Sequence, residues 1–487
     1  MVCVDGGFSM QSFWSRYTNV VRRVAVGVLL ILSPLVYSGC GGNETSSPNP
    51  IPSATQIPTK TDTVLPAVQR VSFAPGEIVS VDAASLVFVD PNSGASNGWV
   101  IPGTTEALDF WVKDISKDGK LALVDCVSRR GDGKLIPCGS NDELGPRYWY
   151  LLNTETGQTR HLGSLSSPFV TLSPDGNTLF SLDKDTAVFE PADGGEPRYL
   201  QLPFKVNSTP QIWSWSPQGG AVAVVVQHEE SSGATGVSTI LFRLDSPEPM
   251  RLFSGEATIG WAPDGASFAV ASSQSAIPSQ SARIIAFDAD GRQLWDAILG
   301  GSSENLRWSP DGNRLAIQLV LQTSSDPQAD NVLVLDVIDG KTGAPLFRLL
   351  GAVACSGEVW TADGSKLIVS DYPYRGSVLV DPAVGAFKAL QMGVEPVPFA
   401  AGFGLTGCPS ETSTTASDTV ANCLLNLLTG EERTLVTFRT EVAWELPLAW
   451  QFTGKGIAFV PSRGGHGGCA ESVGPQPPLE FRYPPYG

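Results

Sequence analysis

Residues 308–318 read Trp-Ser-Pro-Asp-Gly-Asn-Arg-Leu-Ala-Ile-Gln, a polar turn phrase followed directly by an apolar run. Proline presets φ, aspartate hydrogen-bonds to its neighbouring backbone, and glycine accepts a positive φ, so Pro-Asp-Gly favours a tight turn. The run that follows, Arg314-Leu-Ala-Ile-Gln-Leu, has the apolar content of a buried strand. This stretch therefore predicts a β-hairpin.

The same phrase returns along most of the chain. Its seven copies begin at Ile115, Leu172, Trp215, Trp261, Trp308, Trp360 and Trp450. A second hairpin follows most copies, as in Arg283-Ile-Ile-Ala-Phe-Asp-Ala-Asp-Gly and Val332-Leu-Val-Leu-Asp. Two hairpins make a four-stranded sheet, and repeated sheets of this kind are typical of a β-propeller, in which each blade buries its faces against its neighbours.

The spacing of the copies sets the number of blades. The gap between the copies at Trp360 and Trp450 is 90 residues, about twice the usual ~40–45 residues of such a blade. A degenerate hairpin near Phe399-Ala-Ala-Gly-Phe-Gly-Leu-Thr fills this gap, followed by an outer pair at Asn422-Cys-Leu-Leu-Asn-Leu-Leu-Thr-Gly. The sequence thus predicts an all-β fold, a single propeller of eight four-stranded blades over residues 66–462. Seven blades is the alternative if residues 400–421 form one long insertion.

The two ends of the repeat region look incomplete in complementary ways. Ser85-Leu-Val-Phe-Val-Asp resembles an outer strand pair with no Pro-Asp-Gly hairpin before it, whereas the inner pair from Trp450 to Val460 has no outer pair after it. We expect these N- and C-terminal strands to share one blade and close the ring, which would also remove exposed strand edges.

Tryptophan and alanine recur at fixed places in the repeat. The tryptophans are Trp215, Trp261, Trp308, Trp360 and Trp450, and the alanines, five residues after the turn residue, are Ala223, Ala269, Ala316 and Ala458. A side chain present at one register in most blades indicates packing rather than an aromatic ligand site.

The Trp-Ser-Pro-Asp-Gly repeat resembles the WD-like propeller repeats of bacterial TolB-type proteins and those found beside prolyl oligopeptidases. The resemblance covers about Val71 to Pro461. It implies the propeller fold and says little about activity, because one fold carries many functions.

The start of the chain has the features of an export signal. Arg22 and Arg23 precede the apolar run Val24–Val36, which is too short for the roughly 20 residues of a membrane-spanning helix. The next residues, Tyr37-Ser38-Gly39-Cys40, resemble the lipobox of bacterial lipoproteins. The resemblance implies that residues 1–39 are removed and that Cys40 carries a lipid. Because Tyr37 stands where leucine is usual, an ordinary secretory signal is the alternative, and Met10 is a second candidate for the start of translation.

Residues 40–65 are rich in Ser, Thr and Pro and predict a flexible tether. Residues 463–487 are rich in Gly and Pro and form a predicted C-terminal tail. Together these segments predict an extracytoplasmic protein, lipid-anchored to a bacterial membrane on the periplasmic side or at the cell surface.

Six cysteines remain beyond the signal and the lipid site. An even set in an exported protein indicates disulfides. Cys126 and Cys138 bracket one insertion and Cys408 and Cys423 bracket another, so each pair is expected to be bonded locally. Cys355 and Cys469 then pair by elimination. Zinc is the rival interpretation, but the sequence has no Cys-x-x-Cys and three histidines in all.

Loop lengths predict which face of the ring binds partners. Strands alternate in direction, so the Pro-Asp-Gly turns that join strands 1 and 2 leave one face, and the 2–3 and 4–1 loops leave the other. The long loops all belong to the second set: 126–147, 227–237, 272–282, 320–331 and 409–421. A repeat protein generally binds through the face that carries its insertions; tolerated surface drift is the alternative.

Charge and motifs narrow the function further. A formal net charge of −17 disfavours nucleic acid, and no nucleophile elbow, Walker loop, dinucleotide fingerprint or zincin motif occurs. We therefore predict no catalytic residue, no metal site and no cofactor. The predicted function is a non-enzymatic module or scaffold that binds an envelope protein or glycan and meets the membrane through Cys40 alone.

The alternative is a propeller enzyme, a hydrolase, lyase or quinoprotein-like protein, with a site in the central channel. Phe287-Asp-Ala-Asp-Gly-Arg-Gln-Leu-Trp resembles one repeat of the quinoprotein propellers, but it occurs once. Asp288 and Asp290 also begin like a calcium loop without its later carboxylate, so a plain hairpin turn is expected there. An enzyme should gather two or more titrating groups where the innermost strands meet.

Overall fold

The structure is a computed structural model. It describes residues 68–75, 77–81, 85–100, 108–129, 135–137, 147–165, 169–207, 210, 212–229, 234–255, 257–274, 281–322, 331–353, 359–371, 377–390, 394–397, 402–408, 419–440, 448–461 and 480–482. Within these residues all regular structure is β. None of them forms a helix with the length and apolar character needed to cross a membrane.

Strands are numbered along the chain, and the strands of a blade are counted outward from the central channel. The N-terminal strands are β1 (Gln69–Phe73), β2 (Ile78–Val81), β3 (Ser85–Val89) and β4 (Ser96–Val100). Blade 1 contains β5 (Leu108–Ile115), β6 (Leu121–Arg129), the short side strand β7 (Leu135–Pro137), β8 (Arg147–Asn153) and β9 (Thr159–Leu165).

Blades 2 to 4 are regular. Blade 2 contains β10 (Val170–Leu172), β11 (Thr178–Asp183), β12 (Thr186–Pro191) and β13 (Arg198–Gln201). Blade 3 contains β14 (Ile212–Trp215), β15 (Ala221–Glu229), β16 (Thr235–Arg243) and β17 (Met250–Ser254). Blade 4 contains β18 (Ala257–Trp261), β19 (Ser267–Gln274), β20 (Ser281–Asp288) and β21 (Gln293–Gly300).

The remaining strands complete the ring. Blade 5 contains β22 (Ser302–Trp308), β23 (Arg314–Gln322), β24 (Asn331–Asp339) and β25 (Pro345–Leu350), and blade 6 contains β26 (Ala352–Val353), β27 (Leu367–Asp371), β28 (Ser377–Asp381) and β29 (Ala386–Ala389). Blade 7 contains β30 (Glu395–Pro396), β31 (Phe403–Gly407), β32 (Thr419–Asn426) and β33 (Glu432–Thr440). Blade 8 contains β34 (Leu448–Thr453) and β35 (Gly456–Pro461), joined by β3 and β4; β36 (Glu480–Arg482) follows.

The core is divided into eight apolar layers, one between each pair of neighbouring blades. Blades 1 and 2 share a cluster around Leu123 and Leu179, and blades 4 and 5 share one around Trp295 and Leu315. The last two layers join blade 7 to blade 8 and blade 8 to blade 1. The eight four-stranded sheets therefore form a closed ring, an eight-bladed β-propeller, as the sequence predicts.

Ring closure is also confirmed. In blade 8 the N-terminal strand β3 pairs antiparallel with the C-terminal strand β35, with Val87 opposite Phe459 and Val89 opposite Ile457. The outer strands β3 and β4 from the N-terminal end and the inner strands β34 and β35 from the C-terminal end thus complete a single sheet. Their pairing covers the edges that β3 and β35 would otherwise expose.

The degenerate blade 7 has its expected place, but one repeat register is wrong. Trp215 lies opposite Val222, whereas in blade 8 Phe452, not Trp450, takes the corresponding position, opposite Ile457. The reason is the turn: the connection between β34 and β35 is Gly454-Lys455, shorter than the five-residue turn of blade 3. Ala458 nevertheless lies at the expected position and is fully buried.

Besides the side strand β7, three strands extend blades at their outer edges. Strand β1 pairs with β4 at the outside of blade 8, and β2 runs parallel to β33 at the outside of blade 7. Strand β36, which belongs to the predicted tail 463–487, pairs antiparallel with β25 of blade 5, with Phe481 opposite Leu349. Sequence reasoning missed these additions, because short edge strands carry no repeat signature.

The recurring tryptophans join neighbouring blades. Each of four indole N–H groups donates to the inner strand of the preceding blade: Trp215 to Thr171 Oγ1, Trp261 to the Ser214 carbonyl, Trp308 to the Gly260 carbonyl and Trp360 to the Arg307 carbonyl. All four side chains are buried. The prediction that these residues serve packing is confirmed, with an inter-blade hydrogen bond added.

Candidate functional site

The two faces of the ring differ in their connections. In each of blades 1 to 5 the turn between strands 1 and 2 is five residues long, with its glycine at a φ between 65° and 76°. The longest 2–3 connections run from Arg129 to Arg147 and from Gly407 to Thr419. The long insertions thus leave one face, called here the insertion face, and the Pro-Asp-Gly turns leave the other, called the turn face.

One predicted disulfide is present on the insertion face. Cys408 and Cys423 are bonded, with Cα atoms 5.1 Å apart, and they close the insertion of blade 7. Cys126 is disulfide-bonded as well, while its predicted partner Cys138 lies outside the described residues. Cys355, Cys469 and Cys40 also lie outside them, as do the signal segment 1–39 and the tether 40–65.

A cavity of about 310 Å³ lies at the turn-face end of the inner strands of blades 1, 2 and 3. Its lining includes Asp114, Lys117, Thr171, Leu172, Trp213 and Trp215. This volume is at the lower end of the ~300–1,000 Å³ of small-molecule sites. No catalytic or binding residue was predicted here.

The repeat sequence explains why the cavity forms at this place. Blades 1 and 2 carry Ile115 and Leu172 where blades 3 to 6 carry tryptophan. Because each repeat indole reaches the preceding blade, the smaller Leu172, in the layer between blades 1 and 2, leaves room beside Asp114 that an indole would fill. The residues just before that position, Asp114, Thr171 and Ser214, are all polar and line the cavity together. The signal was therefore present in the sequence as a deviation from the Trp-Ser-Pro-Asp-Gly phrase at Leu172.

Asp114 is the main polar group of the cavity. It follows a bulge in β5, where the pairing with β6 shifts between Val112 and Asp114, and bulges often redirect a side chain. Its Oδ2 accepts hydrogen bonds from Thr171 Oγ1 at 2.8 Å and from the Leu172 backbone N–H at 3.1 Å, both in blade 2. Its Oδ1 accepts one from the Ile115 N–H at 3.0 Å.

These contacts leave Asp114 without a cationic partner among the described residues. Loss of hydration on burial raises the pKa of its carboxyl to about 6, although the three hydrogen bonds act to lower it. A carboxyl with a perturbed pKa inside a cavity is a recognised mark of a functional site.

Trp213 gives the cavity an accessible aromatic surface. It lies on the inner strand β14, is 44% exposed and packs edge-on against Phe169 at 4.7 Å between ring centroids. The four repeat tryptophans are buried instead. Part of the Trp213 ring is therefore buried against Phe169, and the rest is accessible from the solvent.

The Asp288–Asp290 segment forms the plain hairpin turn that the sequence predicts. Asp288 accepts the N–H groups of Asp290 and Arg292 and so shapes the hairpin turn between β20 and β21. Asp290 forms an ion pair with Arg243 of blade 3 at 2.5 Å. Among the residues that the structure describes, no group of three or more His, Cys, Asp and Glu side chains could hold a metal ion.

Comparisons with known proteins concern the fold. No family model matches the chain, and no curated protein matches it. It is similar to a putative TolB from Agrobacterium tumefaciens, with 14% identity over 69% of this chain and 97% of that one and a TM-score of 0.28. It is also similar to the β-propeller domain of the trilobed protease from Pyrococcus furiosus, with 14% identity over 67% and 98% of the two chains and a TM-score of 0.37. A third similar structure is dipeptidyl peptidase 4 from Porphyromonas gingivalis, with 11% identity over 78% and 65% of the chains and a TM-score of 0.46. The similar structures include TolB-type and other β-propellers.

Proposed function

We propose that this protein is a lipid-anchored, extracytoplasmic propeller that binds a protein or glycan of the bacterial envelope through its insertion face. The observation that carries the proposal is the asymmetry of the ring: long connections join strands 2 and 3 in blades 1 and 7, while on the opposite face the 1–2 turns of blades 1 to 5 are each five residues long. Loops held on a rigid scaffold are the usual place for recognition.

The Cys408–Cys423 bond supports both parts of the proposal. It ties down the insertion of blade 7 at its base, which lowers the ordering cost of binding. Disulfides also persist in oxidising compartments, in keeping with the export signal and the candidate lipid site at Cys40.

The binding test uses a photo-crosslinking residue in the native envelope. Placed at Ser413 in the blade 7 insertion, it should capture a discrete partner; placed at Asp193, in a 3–4 turn on the turn face, it should not. Replacing residues 409–418 by two glycines should abolish capture from other insertion-face positions while the midpoint of thermal unfolding stays the same.

The control Asp363→Ala removes the carboxylate that accepts hydrogen bonds from Thr361 and Ser365 in a 1–2 turn. It should lower stability and leave capture unchanged. Equal capture from both faces would overturn the proposal.

The anchoring test is separate. Cys40→Ser should move the protein from the membrane fraction to the soluble envelope fraction. A variant that stays with the membrane would show that Cys40 carries no anchor, without bearing on the insertion face.

A second candidate function is a propeller enzyme with its site in the channel, and Asp114 is the observation that favours it. A carboxyl with a pKa of about 6 suits general acid–base catalysis near neutral pH. If the protein hydrolyses model esters or glycosides, Asp114→Asn should abolish turnover. Activity that survives this substitution would exclude the cavity as the catalytic site.

A further inference from the structure

The cavity on the turn face has a chemistry of its own, independent of the insertion face. It offers one carboxyl, Asp114, and one exposed aromatic surface, Trp213, within about 310 Å³. The hydroxyl of Thr171 and the polar residue Ser214 complete the side toward blades 2 and 3. Such a site must be matched by a small ligand that is polar at one end and apolar at the other.

The carboxyl is oriented before any ligand binds. Thr171 Oγ1 donates to Asp114 and accepts from the Trp215 indole at 3.3 Å, so a chain of hydrogen bonds runs through blades 3, 2 and 1. A carboxylate offers about four acceptor positions, and the protein fills three of them. One position therefore remains for a donor on a ligand.

Asp114 decides the charge preference of the cavity, because Lys117, the cation of the lining, is exposed to solvent while Asp114 is held in place by three hydrogen bonds. Asp114 has no ion-pair partner among the described residues, and the chain as a whole carries a net charge of −17, so anions are repelled. A metal ion would need more ligands than this carboxyl supplies. An aromatic side chain and a carboxyl in the lining of one cavity suit an organic cation instead, through cation–π attraction and a charged hydrogen bond.

We propose that this cavity binds an alkylammonium or guanidinium group, with Asp114 as the counter-ion and Trp213 as the aromatic wall. The same chemistry occurs in a free amine and in the side chain of a basic residue presented by a polypeptide. Lys117, an exposed residue of the 1–2 turn that also belongs to the lining, is the neighbouring cation and weakens binding.

The test uses n-butylammonium on the full chain at pH 7.5, with n-butanol and butyrate as neutral and anionic probes of similar length. Binding is measured by ligand-observed NMR and calorimetry. We expect butylammonium to bind and the other two probes not to bind. Asp114→Asn should weaken butylammonium binding by about tenfold or more, and Trp213→Leu by about threefold to tenfold. Lys117→Gln should strengthen it by about twofold.

The matched control is Asp264→Asn, which makes the same change of charge in a 1–2 turn outside the lining and should leave the affinity unchanged. If the Asp114→Asn variant does not fold, the Trp213→Leu and Lys117→Gln variants, which change the affinity in opposite directions, test the proposal.

Two peptides then distinguish a free amine from a basic side chain as the ligand. If Gly-Gly-Lys-Gly-Gly binds at least as tightly as butylammonium and Gly-Gly-Gln-Gly-Gly does not bind, the natural ligand is the side chain of a polypeptide. If butylammonium binds and neither peptide does, the natural ligand is a free amine. Equal binding of butanol, or unchanged affinity in a folded Asp114→Asn variant, would overturn the proposal.

Discussion

The indole N–H of Trp308 donates to the carbonyl of Gly260 at 2.9 Å, from the inner strand of blade 5 to that of blade 4. The inner strand has a free backbone edge on the channel side. The indoles of Trp261, Trp308 and Trp360 each satisfy one carbonyl there, while each ring fills the layer between two blades. A single side chain thus contributes both apolar burial and the alignment of adjacent sheets.

Trp308→Phe should destabilise the protein by about 2 kcal/mol, because it removes this hydrogen bond and part of a buried ring. Equilibrium unfolding in urea measures the loss. The same substitution at Trp213, which is 44% exposed, serves as the control and should change stability by less than about 0.5 kcal/mol. Equal losses at the two positions would contradict the role given to the indole bond.

Deleting residues 66–100 should abolish a single cooperative unfolding transition or cause aggregation. The deletion removes β1 to β4 and leaves β35 paired with β34 alone, so its other edge is exposed. Size-exclusion chromatography and calorimetry measure the outcome, and deletion of the predicted tether 41–65 is the control that leaves every described strand in place. A truncated protein that melts like the parent would mean that blade 8 is dispensable.

Asp114 should make stability depend on pH in the direction opposite to most carboxyls. Its folded pKa, about 6, is above the ordinary 3.8, so the folded state binds the proton more tightly. Its contribution to stability is therefore full below pH 3.8 and is lost as the pH rises toward 6. Relative to Asp114→Asn, the wild type should lose on the order of 3 kcal/mol across that window.

Asp381 provides the control of opposite sign. A hydrogen bond from Lys366 lowers the pKa of its carboxyl, so its contribution is present above pH 3.8 and is lost as the pH falls through the folded pKa. Denaturation curves at pH 2, 3, 4, 5, 6 and 7 for the wild type and both asparagine variants should give slopes of opposite sign, for Asp381 below pH 3.8 and for Asp114 between pH 3.8 and 6. Parallel slopes would show that Asp114 is hydrated like a surface carboxyl.

Replacing both Cys408 and Cys423 by serine should lower stability by about 3 kcal/mol in the chain-entropy model, since the bond closes a segment with a sequence separation of 15. Chemical denaturation without reductant measures the difference. With dithiothreitol present, the gap between wild type and variant should shrink sharply. A gap that persists under reduction would assign the loss to the buried serine at 423.

The sequence predicted the ring well because its signal is repetitive. Seven copies of one phrase gave the blade count once the long gap before Trp450 was read as two blades, and the orphan strands near Val87 and Phe459 predicted closure. The repeat alignment was wrong at Trp450. Trp450 and Gly454 have the same spacing as Trp and Gly in the other copies, but the turn of blade 8 is shorter. Strands β2 and β36 were missed because pairing at an outer edge depends on neighbours distant in sequence.

The cavity shows a different limit. Three of its lining residues are visible in the sequence as departures from the repeat: Ile115 and Leu172 replace tryptophan, and Asp114 precedes Ile115. They were not singled out because the sequence analysis followed the residues that recur. Burial raises the pKa of Asp114, and burial follows from the approach of β10 and β14, which no local pattern reports. Exceptions within a repeat are therefore the better guide to a site.

The pairing of Val87 with Phe459 has a consequence for the order of folding. The two residues lie almost a whole chain apart, so the contact that completes the ring has a very high sequence separation, and such contacts form late. A nascent chain can build blades 1 to 7 as an open arc, but each end of that arc keeps an uncovered apolar layer until residues 448–461 arrive and meet β3. The N-terminal strand β3 therefore keeps an unpaired edge until the C-terminal hairpin is made and β35 pairs with it.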